Sequence, residues 1–346
     1  MPGKNPLFAE QLHVGRPNVG DRAKLLARFE DLLDRRWLTN DGPYVKALEQ
    51  EAADYLGVAH CIAVCNATIG LQLAIRALEL KGEVIVPSFT FPATVHALVW
   101  EGATPVFCDI DPETHNLDPH EAERLITRRT TAILGVHLWG NPCAVDSLGD
   151  LAQRRGLRLL YDAAHAFGCS HRGQMIGNFG DAEVFSFHAT KFLNSGEGGA
   201  IATNDGLLAE RLRRLRNFGL HEGEVTQLGV NAKMTEFCGA MGLTSLESRE
   251  EFISRNRENH AAYRAAFADL PGMRILFPEQ SDGNAQYVVA EIDARRARIS
   301  RDDLFQSLHA ENVLVKRYFN PGCHRIPLYA ISHEATGRRL PHTERC

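Results

Sequence analysis

From about residue 60 the chain alternates short runs that are apolar on both faces with longer stretches of helical period, and few folds accommodate that text. "CIAV" (61–64) precedes "TIGLQLAIRALEL", whose apolar residues recur at helical spacing. "EVIVP" (83–87) precedes "PATVHALVWEG", and "TPVFCDI" (104–110) follows. "AILGVHLW" (132–139) leads through the amphipathic "AVDSLGDLAQRRG" to "LRLLYDAA" (157–164). A strand apolar on both sides must be covered on both sides, so the alternation predicts a mostly parallel sheet between helical layers, an α/β fold.

Residues 185–205, "FSFHATKFLNSGEGGAIATND", supply two further strands, over 184–187 and 198–203, with Lys191 between them. The small, polar and glycine residues around it build neither a core nor a helix. Loop lysines are mostly solvated. The alternative is an amine partly desolvated at the rim of a sheet, where it can do covalent chemistry. After about residue 230 the pattern changes: "MTEFCGAMGLTSLESREEFISRNRENHAAYRAAFADL" reads as a long helical run. "MRILFP" (273–278), "QYVVAEID" (286–293) and "VLVKRYF" (313–319) read as strands, and "SRDDLFQSLHAEN" as a helix opening on a serine cap. The expected organisation is a large domain over 1–235 and a bridging helix with a smaller α+β domain over 236–346.

The bulk properties narrow the functions. A formal net charge of −5 and a pI near 6.3 give no reason to expect nucleic acid or an anionic membrane as partner. The eight cysteines form neither a C-x-x-C pair nor a zinc frame, and several sit in apolar runs, which points to a reducing cytoplasm. "MPGKNPLFAEQLHVG" lacks a signal peptide's apolar core, and no stretch approaches a membrane span. P-loop, G-x-G-x-x-G, H-E-x-x-H and G-x-S-x-G motifs are all missing, and the histidines lack metal-ligand spacing, so no metal is expected.

Four features remain, each where a strand of the sheet ends, the place where open α/β sheets bind ligands. In "VCNATIGL" (64–71), Ala67 and Thr68 open a helix whose free amides suit an anion, although Thr68 can equally be a plain N-cap. In "YDAAHAFG" (161–168), Asp162 ends an apolar strand with His165 three residues on. Such a carboxylate either pairs with an arginine or backbone amides, or keeps a ring nitrogen protonated. In "SFTFPAT" (88–94), Phe91 stands at the sheet's mouth, where an aromatic is more often core than platform. Around Lys191, Ser186 and His188 bring a hydroxyl and an imidazole close in sequence to the amine. Together these ask for a ligand with a phosphate, a flat ring bearing a basic nitrogen, and a carbonyl open to an amine. Pyridoxal 5′-phosphate has all three.

The ordered set "CNATIGLQLAI", "VPSFTFPATVHALVWEGATPVFCDID", "DAAHAFG", "FSFHATKFLNSGEGGAIATND", "LRNFG" and "VNAKMTEFCGAMGL" resembles the DegT-type (DegT/DnrJ/StrS) sugar aminotransferases of the aspartate-aminotransferase fold. The likeness runs from about residue 10 to the end. It implies that Lys191 is the lysine joined covalently to the cofactor, Asp162 the acid on its ring nitrogen and His165 the neighbour of its phenolic oxygen. It implies Phe91 stacked on the ring and Ala67, Thr68 and Ser186 on the phosphate. Asn231 in "VNAKM" would reach that phosphate from the second subunit of a homodimer. The family commonly has glycine at Ala67 and tyrosine-arginine at Ala232-Lys233; neither change removes a reactive group.

"NAKM" and "VKRYFNPGCHRIPLY" (315–329) are similar to a subgroup that aminates C4 of nucleotide-linked 4-keto-6-deoxyhexoses. By the same resemblance Thr39 and Asn40 of "WLTNDGPYV" lie near the sugar, with His188, and Tyr318 and His324 line its other side. L-Glutamate is then the amino donor, 2-oxoglutarate its product, a dTDP-linked sugar the acceptor, and secondary-metabolite (antibiotic) glycosylation the setting. Family members continue past "LPHTERC", so the sequence is expected to stop short of the family's last helix. Amination at C3, or of a cyclitol, is the alternative on the same chemistry. A dehydratase of this fold carries histidine in place of the lysine, and a non-catalytic nucleotide-sugar binder would not need Lys191, Asp162 and Ser186.

Overall fold

The computed structural model describes residues 6–276 and 283–346. The chain enters through β1 (Leu12–His13), α1 (Arg22–Arg35) and α2 (Pro43–Leu56), then begins the sheet at β2 (His60–Val64). Next come α3 (Ala67–Ala77), β3 (Gly82–Pro87), α4 (Pro92–Trp100), β4 (Ala103–Cys108), α5 (Pro119–Leu125), β5 (Thr130–Val136), α6 (Val145–Arg155) and β6 (Arg158–Asp162). A small hairpin, β7 (Ser170–His171) and β8 (Gln174–Met175), leads to β9 (Ala182–Ser186), β10 (Gly199–Thr203) and α7 (Gly206–Arg216).

Seven of these strands form one sheet in the order β2-β10-β9-β6-β5-β3-β4. All neighbours pair in parallel except β10, which is antiparallel to both β9 and β2. Only antiparallel neighbours can be joined without a helical crossover. The loop over 187–198 therefore turns back at the carboxyl ends of the parallel strands, and Lys191 lands near the ends of β2 and β6.

Strand side chains alternate between two cores. Val84, Val86, Val184 and Ile201 join α3, α4 and α7 on one face, while Ile85, Phe185 and Ala200 pack on the other. Each fully buried Val, Leu or Ile contributes roughly 1.5–3 kcal/mol relative to an exposed one. The two-faced runs thus fold as the sequence implies.

Beyond the hairpin β11 (Leu220–His221) and β12 (Glu224–Val225), the expected long helix is two, α8 (Glu236–Glu247) and α9 (Arg249–Phe267). They break at Ser248, whose hydroxyl donates back to the Thr244 carbonyl at 3.0 Å. α8 packs on α1 and α2. The remainder holds β13 (Met273–Ile275), β14 (Ala290–Ile292), α10 (Ala294–Ala297), α11 (Arg301–Ala310), β15 (Val313–Leu314), α12 (Pro327–Glu334) and α13 (Pro341–Arg345).

Ser300 caps α11 as expected. The other strands are shorter than expected. Residues 277 and 278 of "MRILFP" lie outside the described residues. β15 stops because its partner β1 is two residues long and the Val315 amide turns back to Val313. Residues 284–287 leave the β14 ladder to contact the lysine loop, as described below. Among the described residues no helix is long and apolar enough to cross a membrane.

Candidate active site

Lys191 stands on a rigid loop. The Phe187 and Ala189 amides donate to the carbonyls of Gly198 and Gly196, closing the turn as a continuation of the β9–β10 pair. Buried Asn194 holds its far side: its amide group donates to the Asn18 carbonyl at 2.7 Å and its oxygen accepts the Gly196 N–H at 2.7 Å. Phe192 and Leu193 anchor it in the core beneath. The amine itself is half-buried and its Nζ lies 3.2 Å from the Tyr287 Oη. Burial pushes its pKa down to about 8; the Asp162 charge opposes that shift and Lys316 adds to it.

Asp162, the last residue of β6, is buried and is partnered by no arginine among the described residues. Oδ2 accepts the Thr94 hydroxyl at 2.7 Å and Oδ1 the Ala164 N–H at 3.0 Å. Burial raises its pKa, while those two bonds and the Lys191 charge pull it down. His165 accepts the Trp139 N–H on Nδ1 at 3.1 Å, which leaves its proton on Nε2. Burial holds the ring well below its usual pKa, and therefore neutral.

The anion end is assembled by strand register. Ser186 lies opposite Gly199, and Gly199 opposite Val64, so the ends of β9 and β2 flank one glycine. A Cβ on Gly199 would sit 2.9 Å from the Ala67 nitrogen and 2.7 Å from the Phe185 carbonyl oxygen; the start of α3 approaches this closely because the side chain is absent. The helix cap is Asn66, whose oxygen accepts the Ile69 N–H at 2.9 Å, which corrects the reading of Thr68 as a possible cap. The Gly70 amide is taken by the Asn66 carbonyl, so the amides of Ala67 and Thr68 are the first-turn donors left over.

Phe91 precedes α4 and is exposed, not core; Thr94, one turn on, is the residue bonded to Asp162. Its ring lies 6.5 Å from Phe319. Tyr318 joins the same cluster, 6.4 Å from both Tyr287 and Trp139. His188 is exposed but turned to its own loop, with Nδ1 3.0 Å from the Thr190 hydroxyl.

Other expected residues lie apart. Thr39 and Asn40 are exposed, and their loop is tied by Asp41 to Arg216 at 2.8 Å and by the Leu38 carbonyl to the Glu236 amide. Asn231 is exposed and bridged to Asn217, beside Ala232, whose carbonyl accepts the Cys65 N–H at 2.8 Å. Among the described residues no hydrogen bond joins Thr39, Asn40 or Asn231 to Lys191 or Asp162. His324, expected to line the sugar's other side, sits deeper than the exposed Thr39 and Asn40. It is buried with Nδ1 2.6 Å from the Ser88 hydroxyl, packed edge-on to Phe107, and burial lowers its pKa to about 4.

Three residues escaped the sequence reading: Thr94, Trp139 and Tyr287. Thr94 carried a signal, a hydroxyl one helical turn past the strand-end aromatic. Tyr287 carried none, because it arrives from 96 residues beyond the lysine it touches.

A family model described as "DegT/DnrJ/EryC1/StrS aminotransferase family" matches residues 20–346. The dTDP-4-amino-4,6-dideoxy-D-glucose transaminase of Shigella dysenteriae is 38% identical over 322 residues, covering 92% of this chain and 86% of its own. The GDP-perosamine synthase of Vibrio cholerae is 33% identical over 313 residues, 89% of this chain and 85% of the relative. A crystal structure of DesI in the presence of its TDP-sugar product superposes with a TM-score of 0.93 at 51% identity, covering 99% of this chain and 87% of that one.

Proposed function

Because the chain belongs to the DegT/DnrJ/EryC1/StrS aminotransferase family, whose members depend on pyridoxal phosphate, we propose that it moves the amino group of L-glutamate to C4 of a dTDP-linked 4-keto-6-deoxyhexose. The products are a 4-amino-4,6-dideoxy sugar and 2-oxoglutarate. The observation that carries the reading is a half-buried amine lowered to about 8, facing a buried carboxylate that has no arginine partner among the described residues. The dTDP-sugar transaminase relatives and the TDP-sugar product of DesI support the acceptor.

The residues fit the cofactor on their own chemistry. Asp162 would hold the ring nitrogen, Phe91 and His165 would flank the ring, and Ser186 with the Ala67 and Thr68 amides would hold the phosphate over side-chain-free Gly199. Bound pyridoxal phosphate supplies an electron sink for the carbon that loses its proton. Lys191 does the rest. Near neutrality a sizeable fraction of its amine is unprotonated, so it can bond to a carbonyl and, once displaced by the donor, carry a proton from one carbon to another. Asp162 would keep the ring nitrogen charged, and the neutral His165 has Nε2–H to donate.

Product NMR after incubation with glutamate and a panel of dTDP-3-keto and dTDP-4-keto sugars tests this. We expect nitrogen at C4. Amination only at C3 or of a cyclitol favours the alternative acceptor, and glutamate losing nitrogen without an aminated sugar favours a dehydratase.

The reading includes a homodimer that shares its sites, with the phosphate also held by Asn231 of the partner subunit. Exposed Phe218 and Val230 flank the Asn217–Asn231 bridge, and exposed Trp37 and Leu38 precede the Thr39–Asn40 turn; such exposed apolar side chains suit a second copy. Mixing two inactive variants, Lys191→Ala and Asn231→Glu, should restore about a quarter of parental activity, since half the dimers are mixed and each carries one intact site. No recovery would rule out sharing.

A further inference from the structure

The roles above leave one contact at the reacting amine unused. Lys191 Nζ donates to the Tyr287 phenol oxygen at 3.2 Å and lies 5.9 Å from the centroid of that ring. Tyr287 comes from the C-terminal part of the chain, on a short segment that its neighbours fasten to the site. The Asn284 amide group donates to the carbonyls of His165 at 3.2 Å and Phe167 at 2.9 Å, and that of Gln286 to the carbonyl of Thr190 at 2.5 Å. The Tyr287 ring then packs 4.6 Å from His165. Burial pushes its pKa further up, so the phenol stays neutral. The segment is thus oriented without the phenol oxygen, and that oxygen is free for a separate task.

We propose that Tyr287 is a further catalytic residue of the transamination, its oxygen holding and aiming the Lys191 amine while that amine carries a proton. The proposal rests on the function given above. When Lys191 takes a proton from the donor carbon, one C–H bond breaks, one N–H bond forms, and the amine becomes an ammonium. One N–H points at the phenol oxygen, which spreads the charge and fixes the nitrogen's direction; another N–H is broken on delivery. Tyr287 neither gains nor loses a proton. The other titratable groups facing the amine are Asp162, His165 and Lys316, and none of them is bonded to Nζ. Lys316 is exposed and repels the ammonium, Asp162 attracts it through space, and neutral His165 does neither, so alignment falls to the phenol.

Tyr287→Phe keeps the ring on His165 and removes the oxygen alone. In protein freed of cofactor, the pH dependence of labelling at Lys191 by an amine reagent, read by peptide mass mapping, should inflect at about 8. In the variant the ammonium loses its acceptor, so the inflection should fall by about one unit. In the loaded enzyme the single-turnover reaction with glutamate should slow roughly tenfold, with the KM for glutamate unchanged. Asn284→Ala keeps the oxygen but loosens the segment that carries it, so its labelling inflection should move in the same direction as in Tyr287→Phe and by less.

An unmoved inflection in Tyr287→Phe, or a parental half-reaction rate in that variant, would overturn the proposal. Its failure is distinct from that of the function: a parental inflection in an enzyme that aminates its sugar removes the role of Tyr287 alone. A parent protein that takes no nitrogen from glutamate removes both.

Discussion

Replacing Lys191 by alanine should stop amination of the keto sugar, with turnover down by at least about 10⁴-fold when product is followed by NMR. The loss is large because one nitrogen serves twice, as the nucleophile that anchors the cofactor and as the group that moves the proton. Hydride trapping followed by mass mapping should find a pyridoxyl adduct at Lys191 in the parent protein and none there in the variant. Stability should move the other way. The folded-state pKa of Lys191 is lowered from 10.5 to about 8, so at neutral pH the unfolded chain holds that proton more tightly than the folded one. The resulting penalty is full below about 8 and fades as pH rises towards 10.5. Alanine has no such penalty, and the loop is held by Asn194, Phe192 and Leu193, so the variant should melt no lower than the parent at neutral pH. A lysine that lowers stability where it stands is explained by chemistry rather than packing. Full turnover without it would refute the mechanism.

How far the sequence could be read follows the range of the interactions involved. The sheet was legible because a strand covered on both faces must be apolar on both, and "EVIVP" or "LRLLYD" obey that rule within a few residues. The grouping of Lys191, Asp162, Ser186 and the α3 start was legible because each ends a strand of one sheet and parallel strands align their ends. The reversal of β10 carried no local mark; it depends on which edges remain open once β6 and β9 have paired.

The burial of His324 was out of reach for a related reason. A histidine after "NPGC" looks exposed, and its burial is decided by Ser88, 236 residues away. Tyr287 has the same difficulty in reverse, since its run alternates like a strand and only β13 and the lysine loop decide which part stays in a ladder. The Asn66 cap was within reach, because asparagine before a helical run is a strong cap signal; Thr68 drew attention only as a hydroxyl.

Asp162→Asn should be nearly as damaging as the lysine change while leaving the site's shape intact. The carboxylate uses one oxygen for the Thr94 hydroxyl and the other for the Ala164 amide. Asparagine can keep both by setting its oxygen on Ala164 N–H and its NH₂ on the Thr94 oxygen, because a hydroxyl can turn from donor to acceptor and a backbone amide cannot. What it loses is the negative charge. In the parent, burial raises the carboxyl's pKa, and the Thr94 and Ala164 bonds and the Lys191 charge act against that shift in favour of the charge. Losing one buried, charge-assisted partner costs about 2–5 kcal/mol, so the glutamate half-reaction should slow by about 10³-fold. Asp162→Glu retains the charge at a displaced position and should fall between the two. Stopped-flow spectra of the half-reaction decide the matter. If asparagine ran within about tenfold of the parent, the carboxylate would be a structural partner of Thr94 and not the group that keeps the ring charged.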